Sequence, residues 1–228
     1  MLIINLETCS STQSYLKDML VSNEKRTHER ILVTAKNQTS GRGRGNKDWK
    51  TFDHAICMSC LLPATKPFTL NPLKIGALVA NFFSKKFELE IRLKWPNDII
   101  DSNGKKVGGI LCQLHKNKIL AGIGINLFAN PEYEKQPFIC SGLQINQDIL
   151  NKNEITLELY EYLIENYLLR FSIENYHELC CHMEKGVEIK DEFSSTEGIF
   201  KGVTDQGEAL IYNDGKMSKV LTGSLIIR

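Results

Sequence analysis

The chain has 228 residues, enough to bury a sizeable core as one domain or one domain with a small appendage. Its 28 Lys+Arg against 27 Asp+Glu give a formal charge of +1, which leaves no global field to hold a polyanion such as DNA or a membrane surface. Met1 to Ser14 carry no secretory pattern and no run approaches about 20 apolar residues, so a cytoplasmic protein that does not enter a membrane is expected.

Leu2 to Leu6 reads as a strand. A helix then starts at a Ser11 cap, with Tyr15, Leu16, Met19 and Leu20 at helical spacing. Arg30 to Ala35 is a second strand and delivers the chain into Gly41-Arg-Gly-Arg-Gly-Asn-Lys-Asp-Trp49. Beyond it lie a buried strand, His54 to Leu62, and a helix opened by Pro72, with Ile75, Leu78, Val79, Phe82 and Phe83 on one stripe. A short strand from Ile91 to Trp95 stops at Pro96. Lys106 to His115 and Ile119 to Leu127 form a hairpin around Lys116-Asn117-Lys118. Helices are predicted over Thr156 to Phe171 and Glu174 to Lys185, the second ending at Gly186 with Cys180 and Met183 as core filler. After Gly186 the pattern changes to short β runs (Val187 to Lys190, Ile199 to Val203, Ala209 to Tyr212, Lys219 to Leu221, Leu225 to Ile227), the pattern of a small β-barrel.

Cys9, Cys57, Cys60, Cys112, Cys140, Cys180 and Cys181 are an odd set in a chain without a secretion signal, and read as free thiols. Cys57 and Cys60 have C-x-x-C spacing, with Cys180-Cys181-His182 as conceivable partners. On a strand, however, residues three apart face opposite sides, which disfavours a shared metal.

The glycine loop carries the most chemistry. Three glycines in five positions let backbone approach a ligand, while Arg42, Arg44 and Lys47 bring donors suited to phosphate or carboxylate. Taken alone it reads equally as a Gly-rich surface turn or as a disordered Arg/Gly arm on nucleic acid. Lys94-Trp95-Pro96-Asn97-Asp98 sets a cation at a strand end beside an amide and a carboxylate, although Pro-Asn-Asp is also ordinary turn chemistry. Glycines inside strands, at Gly108, Gly109, Gly122 and Gly124, mark places where a ligand comes close, and two such strands side by side suggest a floor for something flat.

In chain order, Ser11-Thr12-Gln13, Gln38 with Gly41 to Arg44, Trp49, Lys94 to Asp98, Lys106 with Gly108-Gly109-Ile-Leu111, and Gly122 to Asn126 resemble the biotin protein ligases over essentially the whole chain. The resemblance implies an α+β fold: a mixed-sheet catalytic domain of the class II synthetase-like, biotin/lipoate ligase type over residues 1–184, then a small SH3-like β-barrel over residues 185–228. It implies ATP and biotin as substrates, with Mg²⁺, and formation of biotinyl-5′-AMP followed by transfer of biotin to a lysine of a biotin carboxyl carrier domain. Lys94, Arg42 and Lys106 would be catalytic. Ser11, Thr12, Gln13, Gln38, Gly41, Arg42, Gly43, Arg44, Lys106, Gly108, Gly109, Gly122 and Gly124 would bind biotin. Arg44, Trp49, Lys94, Asn97 and Asn126 would bind the nucleotide, and Asn97 and Asp98 the metal. The glycine loop would fold over the adenylate to exclude water, and is expected to be disordered without ligand.

The family's loop usually runs Gly-Arg-Gly-Arg, one variable residue, Gly-Arg, one more and Trp. Here Asn46-Lys47 replace the later Gly-Arg, Gly45 is an extra glycine, and Gln13 stands where Asn is usual. Relatives that repress transcription carry an extra N-terminal helix-turn-helix, and the early Ser11 leads to the expectation of a ligase that does not bind DNA; a homodimer is compatible with the resemblance. The alternatives are a lipoate-type protein ligase and a non-catalytic nucleic-acid module built on the Arg/Gly stretch.

Overall fold

The computed structural model describes residues 1–52, 54–128, 132, 140–145, 151–191 and 194–228. Among these a seven-stranded mixed sheet carries the first part of the chain. Its strands are β1 (Leu2–Cys9), β2 (Ile31–Gln38), β5 (Ala55–Pro63), β6 (Arg92–Lys94), β7 (Asp98–Ile100), β8 (Lys106–His115) and β9 (Lys118–Asn126), in the order β1-β2-β5-β9-β8-β7-β6. The pair β1 and β2 is parallel, because α1 (Thr12–Ser22) returns the chain between them, and the other pairs are antiparallel. Two-residue strands β3 (Gly41–Arg42) and β4 (Asp48–Trp49) close the glycine loop into a hairpin of its own.

Alternation along the strands decides what covers each face. One face packs on α2 (Leu70–Phe87) and α3 (Lys152–Asn166), burying Ile56, Met58, Cys60, Leu73, Val79, Phe83, Ile110, Ile123 and Tyr160. Each such side chain contributes about 1.5–3 kcal/mol when fully buried. The other face is covered at one end by α1, where Leu16 and Leu20 pack on Val33, Leu61 and Leu120, and at the other end by the glycine loop.

After α4 (Ile173–Leu179) the chain builds an SH3-like antiparallel sheet from β10 (Gly186–Lys190), β11 (Ser195–Val203), β12 (Ala209–Asn213), β13 (Lys216–Val220) and β14 (Ser224–Ile227), in the order β13-β12-β11-β10-β14. Its Val187, Phe200, Ile211 and Leu225 belong to the same core cluster as α2 and Trp95. No helix among the described residues is long and apolar enough to cross a membrane.

Two expectations are corrected. The helix expected over Thr156 to Phe171 starts at Lys152, because the Asn151 side chain accepts from the Asn153 and Glu154 amides, and it ends at Asn166. The helix expected over Glu174 to Lys185 stops at Leu179: Cys180 forms a parallel bridge with Leu93, and the Cys181 amide donates to the Leu93 carbonyl at 2.9 Å, so sheet pairing draws the chain out of the helix. The short strand expected before Pro96 does end there, at Lys94, and the chain then turns back at once into β7, a strand not anticipated.

Candidate active site

Strand register assembles the site. Lys94 pairs with Asp98, Asp98 with Gly109, Gly109 with Gly124, and Gly124 with Cys57, so five residues from five strands form one row on one face of the sheet. Gly122, opposite Leu111 and Ser59, extends that face by a second row. The glycines leave room for what lies on them. A Cβ on Gly124 would stand 2.4 Å from Trp49 Cζ2, one on Gly122 would stand 2.7 Å from Gln13 Oε1, and one on Gly109 would stand 3.6 Å from Lys106 Nζ. Gly108 faces the other way, against Ile99 and Ile125 in the core, so the floor is Gly109, Gly122 and Gly124.

Lys106 Nζ lies 2.5 Å from Asp98 Oδ1 and 5.9 Å from the centre of a Trp49 ring. The turn before Asp98 is tied to β8 twice: the Asn97 side-chain amide donates to the Ile110 carbonyl at 3.0 Å, and the Ile110 amide donates to the Asn97 carbonyl at 2.9 Å. Neither the Asn97 side-chain oxygen nor the second Asp98 oxygen is used by these contacts. Behind Lys94 sits His182, fully buried between the Cys180 and Cys181 sulfurs and edge-on to Phe200 at 4.2 Å. Burial, then the charges of Lys94 and Lys185, push the His182 imidazole down to about 3, so it is neutral.

A buried polar chain closes the other end of the face. Gln38 Oε1 accepts from the Thr12 amide at 2.9 Å and the Thr12 hydroxyl at 3.2 Å, and the Thr12 and Ser59 hydroxyls are 2.8 Å apart. Ser59 donates to Gln13 Oε1 at 3.1 Å, and the Gln13 amide donates to the Leu120 carbonyl at 2.9 Å. Gln38 reaches this chain because β2 runs on past Ala35. Ser11 occupies the N-cap position of α1, but its buried side chain makes no cap bond, contrary to the expected capping. Asn126 donates to the Ser141 carbonyl at 3.0 Å, and its buried side-chain oxygen has no hydrogen-bond partner among the described residues. An acceptor in that state is costly unless a ligand donor meets it.

The glycine loop is a formed hairpin, rather than an open arm. Gly41 is required there, since a Cβ would stand 2.3 Å from the Trp49 carbonyl, and Gly45 sits at φ +60° at the tip. Trp49 is laid on Gly124 with its indole Nε1 buried on the side of Cys57, while Arg42 points to solvent. Arg44 Nη2 donates to the Gly223 carbonyl and Lys47 Nζ to Ser224 Oγ at 2.9 Å, both on the barrel. Burial lowers the Arg44 guanidinium from its ordinary value, and the nearby Asp98 charge opposes that shift.

All seven cysteines are free thiols. Cys57 faces Thr51 at 3.6 Å on the loop side, while Cys60 lies in the core on the opposite face, and no group of three His, Cys, Asp or Glu side chains among the described residues is arranged to hold a metal ion. Ser59, Gly223 and Ser224 were missed in the sequence. A hydroxyl alone in the apolar run Ala55-Ile-Cys-Met-Ser-Cys-Leu-Leu was a usable signal for the first, and none existed for the barrel pair.

Comparison with known proteins places the fold in a family. The Biotin/lipoate A/B protein ligase family matches residues 6–130, a span that takes in Ser11 through Asn126. The bifunctional ligase/repressor BirA of Bacillus subtilis (strain 168) is 32% identical over 138 residues, covering 57% of this chain and 41% of its own length, so the match spans less than half of that relative. The biotin--[acetyl-CoA-carboxylase] ligase of Mycobacterium tuberculosis is 23% identical over 211 residues, covering 86% of this chain and 78% of its own. A solved biotin protein ligase from Aquifex aeolicus, in complex with biotin and ATP, superposes with a TM-score of 0.76 at 25% identity and covers 99% of this chain and 98% of its own. Matched by the family over residues 6–130 of its 228, more than half its length, the chain belongs to the biotin/lipoate A/B protein ligase family.

Proposed function

We propose that this protein is a biotin protein ligase that joins biotin to ATP, forming biotinyl-5′-AMP and pyrophosphate, and passes biotin to a lysine of a biotin carboxyl carrier domain. The observation that carries this reading is the glycine floor of Gly109, Gly122 and Gly124, with Lys106, Trp49 and Gln13 standing directly on it. A flat bicyclic ligand needs side-chain-free strands beneath it. An acid to be activated needs a cation at the same place.

In the first step a biotin carboxylate oxygen attacks the α-phosphorus and pyrophosphate leaves. Two unit negative charges about 4 Å apart repel by roughly 4 kcal/mol at an effective dielectric near 20, and cations must offset this. Lys106 would release Asp98 and take the biotin carboxylate, Lys94 the α-phosphate, and Arg42 and Arg44 the oxygens under the loop. Ser11, Thr12, Gln13 and Gln38 would hold the ureido ring, Trp49 the adenine and Asn126 a nucleotide donor. Mg²⁺ would be held by Asn97 and Asp98, oxygen donors of the kind it prefers, and would shield the triphosphate. In the second step the carrier lysine amine attacks the acyl carbon and AMP leaves. No covalent enzyme intermediate is required. Residues 1–184 would carry the chemistry and residues 185–228 would brace it.

The test is isotope exchange between pyrophosphate and ATP with purified protein, with biotin, lipoate or neither added. Biotin-dependent exchange, with biotin appearing on a carrier domain by mass, is expected. Exchange only with lipoate, or none at all, would overturn the reading.

A further inference from the structure

We propose that the barrel turn Gly223-Ser224 is a positioning element that latches the glycine loop shut over the site, by receiving Arg44 and Lys47. Its consequence for catalysis rests on the ligase reading, whereas its geometry does not.

Within the loop, the Gly43 amide donates to the Lys47 carbonyl at 2.7 Å and the Lys47 amide to the Arg44 carbonyl at 3.3 Å, with Gly45 at φ +60° between them. This tight closure presents Arg44 and Lys47 from one hairpin tip. Both reach adjacent residues of a single barrel turn, 179 and 177 positions away in sequence. Lys47, one of the departures from the family's loop pattern, thereby has a partner in Ser224. Arg44 is stretched between two sites, with Gly223 as its hydrogen-bond acceptor and Asp98 close enough to act on its charge. The loop's second arginine is therefore aimed by the barrel.

The turn is built for the contact. Gly223 has φ +143°, and a Cβ there would stand 2.5 Å from Ile189 Cγ2 and 3.1 Å from the Lys190 carbonyl, so only glycine lets the turn lie flat on β10. Ser224 is held in register opposite Lys190. The barrel as a whole is fixed to the sheet through the shared core and through Trp95 Nε1, which donates to the Gly207 carbonyl at 3.2 Å. In this pair the barrel is the post and the loop is the part that swings. A latch of this kind governs how long a bound mixed anhydride is shielded before the acceptor arrives, and leaves the forming step nearly unchanged.

The experiment has two arms. In the ligand-free protein, tryptic nicking at Arg42 and Arg44 reports loop opening without any chemistry. With biotin and ATP, escape of preformed adenylate into solution reports the same opening under load. Ser224→Ala is expected to speed both by about threefold, the loss of one exposed hydrogen bond. Ser224→Thr, which keeps the hydroxyl, is expected to restore wild-type behaviour. For adenylate escape, Lys47→Met is expected to match Ser224→Ala, and the double variant to be no faster than either alone, as for partners in one interaction. In Ser224→Ala, pyrophosphate exchange should stay within about twofold, as for a contact that acts on release rather than chemistry. Gly223→Ala, checked for folding by circular dichroism, is expected to open the loop about tenfold. Unchanged nicking in Ser224→Ala, or effects that multiply in the double variant, would refute the latch. Absence of adenylate from wild-type protein would instead count against the ligase reading, while the nicking arm still decides the latch.

Discussion

Lys94, Asp98, Gly109 and Gly124 lie up to 30 positions apart in the chain yet are neighbours across the sheet, each placed by ladder register. A cation held this way costs little to orient, because its strand is already ordered. If Lys94 meets the α-phosphate, Lys94→Ala removes a contact that strengthens as charge develops. Adenylation should then fall by about 10²- to 10³-fold, the effect of losing roughly 3 to 4 kcal/mol of transition-state stabilisation. Single-turnover pyrophosphate release at wild-type speed would take Lys94 out of that role. At this scale the sequence was most legible where composition is improbable for ordinary folding. Glycines inside strands and a Gly-Arg repeat have few structural uses, and Gly109, Gly122, Gly124, Lys106 and Trp49 do converge. Gly108 was indistinguishable from Gly109 by letter, since which face a residue takes depends on strand phase. Ser11 carried the wrong signal, because a serine before a helix usually caps it and here it does not.

Helices near the barrel were the least legible elements. Apolar spacing in Tyr160, Leu163, Ile164, Tyr167 and Phe171 suits a helix from Thr156 onward, but the start is decided by Asn151, whose side chain accepts from the Asn153 and Glu154 amides at 3.1 and 3.4 Å. Asn151→Ala should therefore cost about 1 kcal/mol. In a chain of this size that is a fall of about 2–4 °C in thermal midpoint, with pyrophosphate exchange at 25 °C unaltered. A midpoint unchanged within 0.5 °C, a margin well under about 2 °C, would show that the cap is idle. The last helix was overestimated because Cys180 to Lys185 has acceptable helical composition, whereas its actual partner, the edge of β6 at Leu93, is some 87 residues earlier. No local pattern announces a bridge of that separation. The glycine-loop hairpin is the opposite case: Gly41 is demanded by the Trp49 carbonyl eight positions on and Gly45 by its own φ of +60°, and a short window suffices to see them.

Over the whole molecule, burial converts several groups into pH sensors of folding. His182 sits at zero exposure with its imidazole depressed from 6.5 to about 3. The unfolded chain therefore takes up that proton near pH 6.5 while the folded chain resists it, so the stabilisation from this site is complete above 6.5 and is lost as pH falls toward about 3. His177, whose Nε2 accepts from the Val203 amide at 2.9 Å, is shifted the same way by burial. Between pH 6.5 and pH 5, His182 alone should remove about 2 kcal/mol of stability. Urea unfolding of His182→Leu across that interval should show a shallower slope than wild type, and parallel slopes would count against a neutral buried imidazole.

The motifs from Ser11 to Asn126 carried the family resemblance, while residue chemistry and short-range periodicity determined the glycine-rich loop, the long hairpin of β8 and β9 and the change to β structure after Gly186, because each of these is written in residues close together in the chain. Tertiary structure alone decided which glycines form the floor, that Ser59 joins Thr12 and Gln13 in one buried chain, and that the loop's Arg44 and Lys47 meet Gly223 and Ser224. Those contacts join segments tens to nearly two hundred positions apart, and their energies come from register and packing that no window of sequence contains.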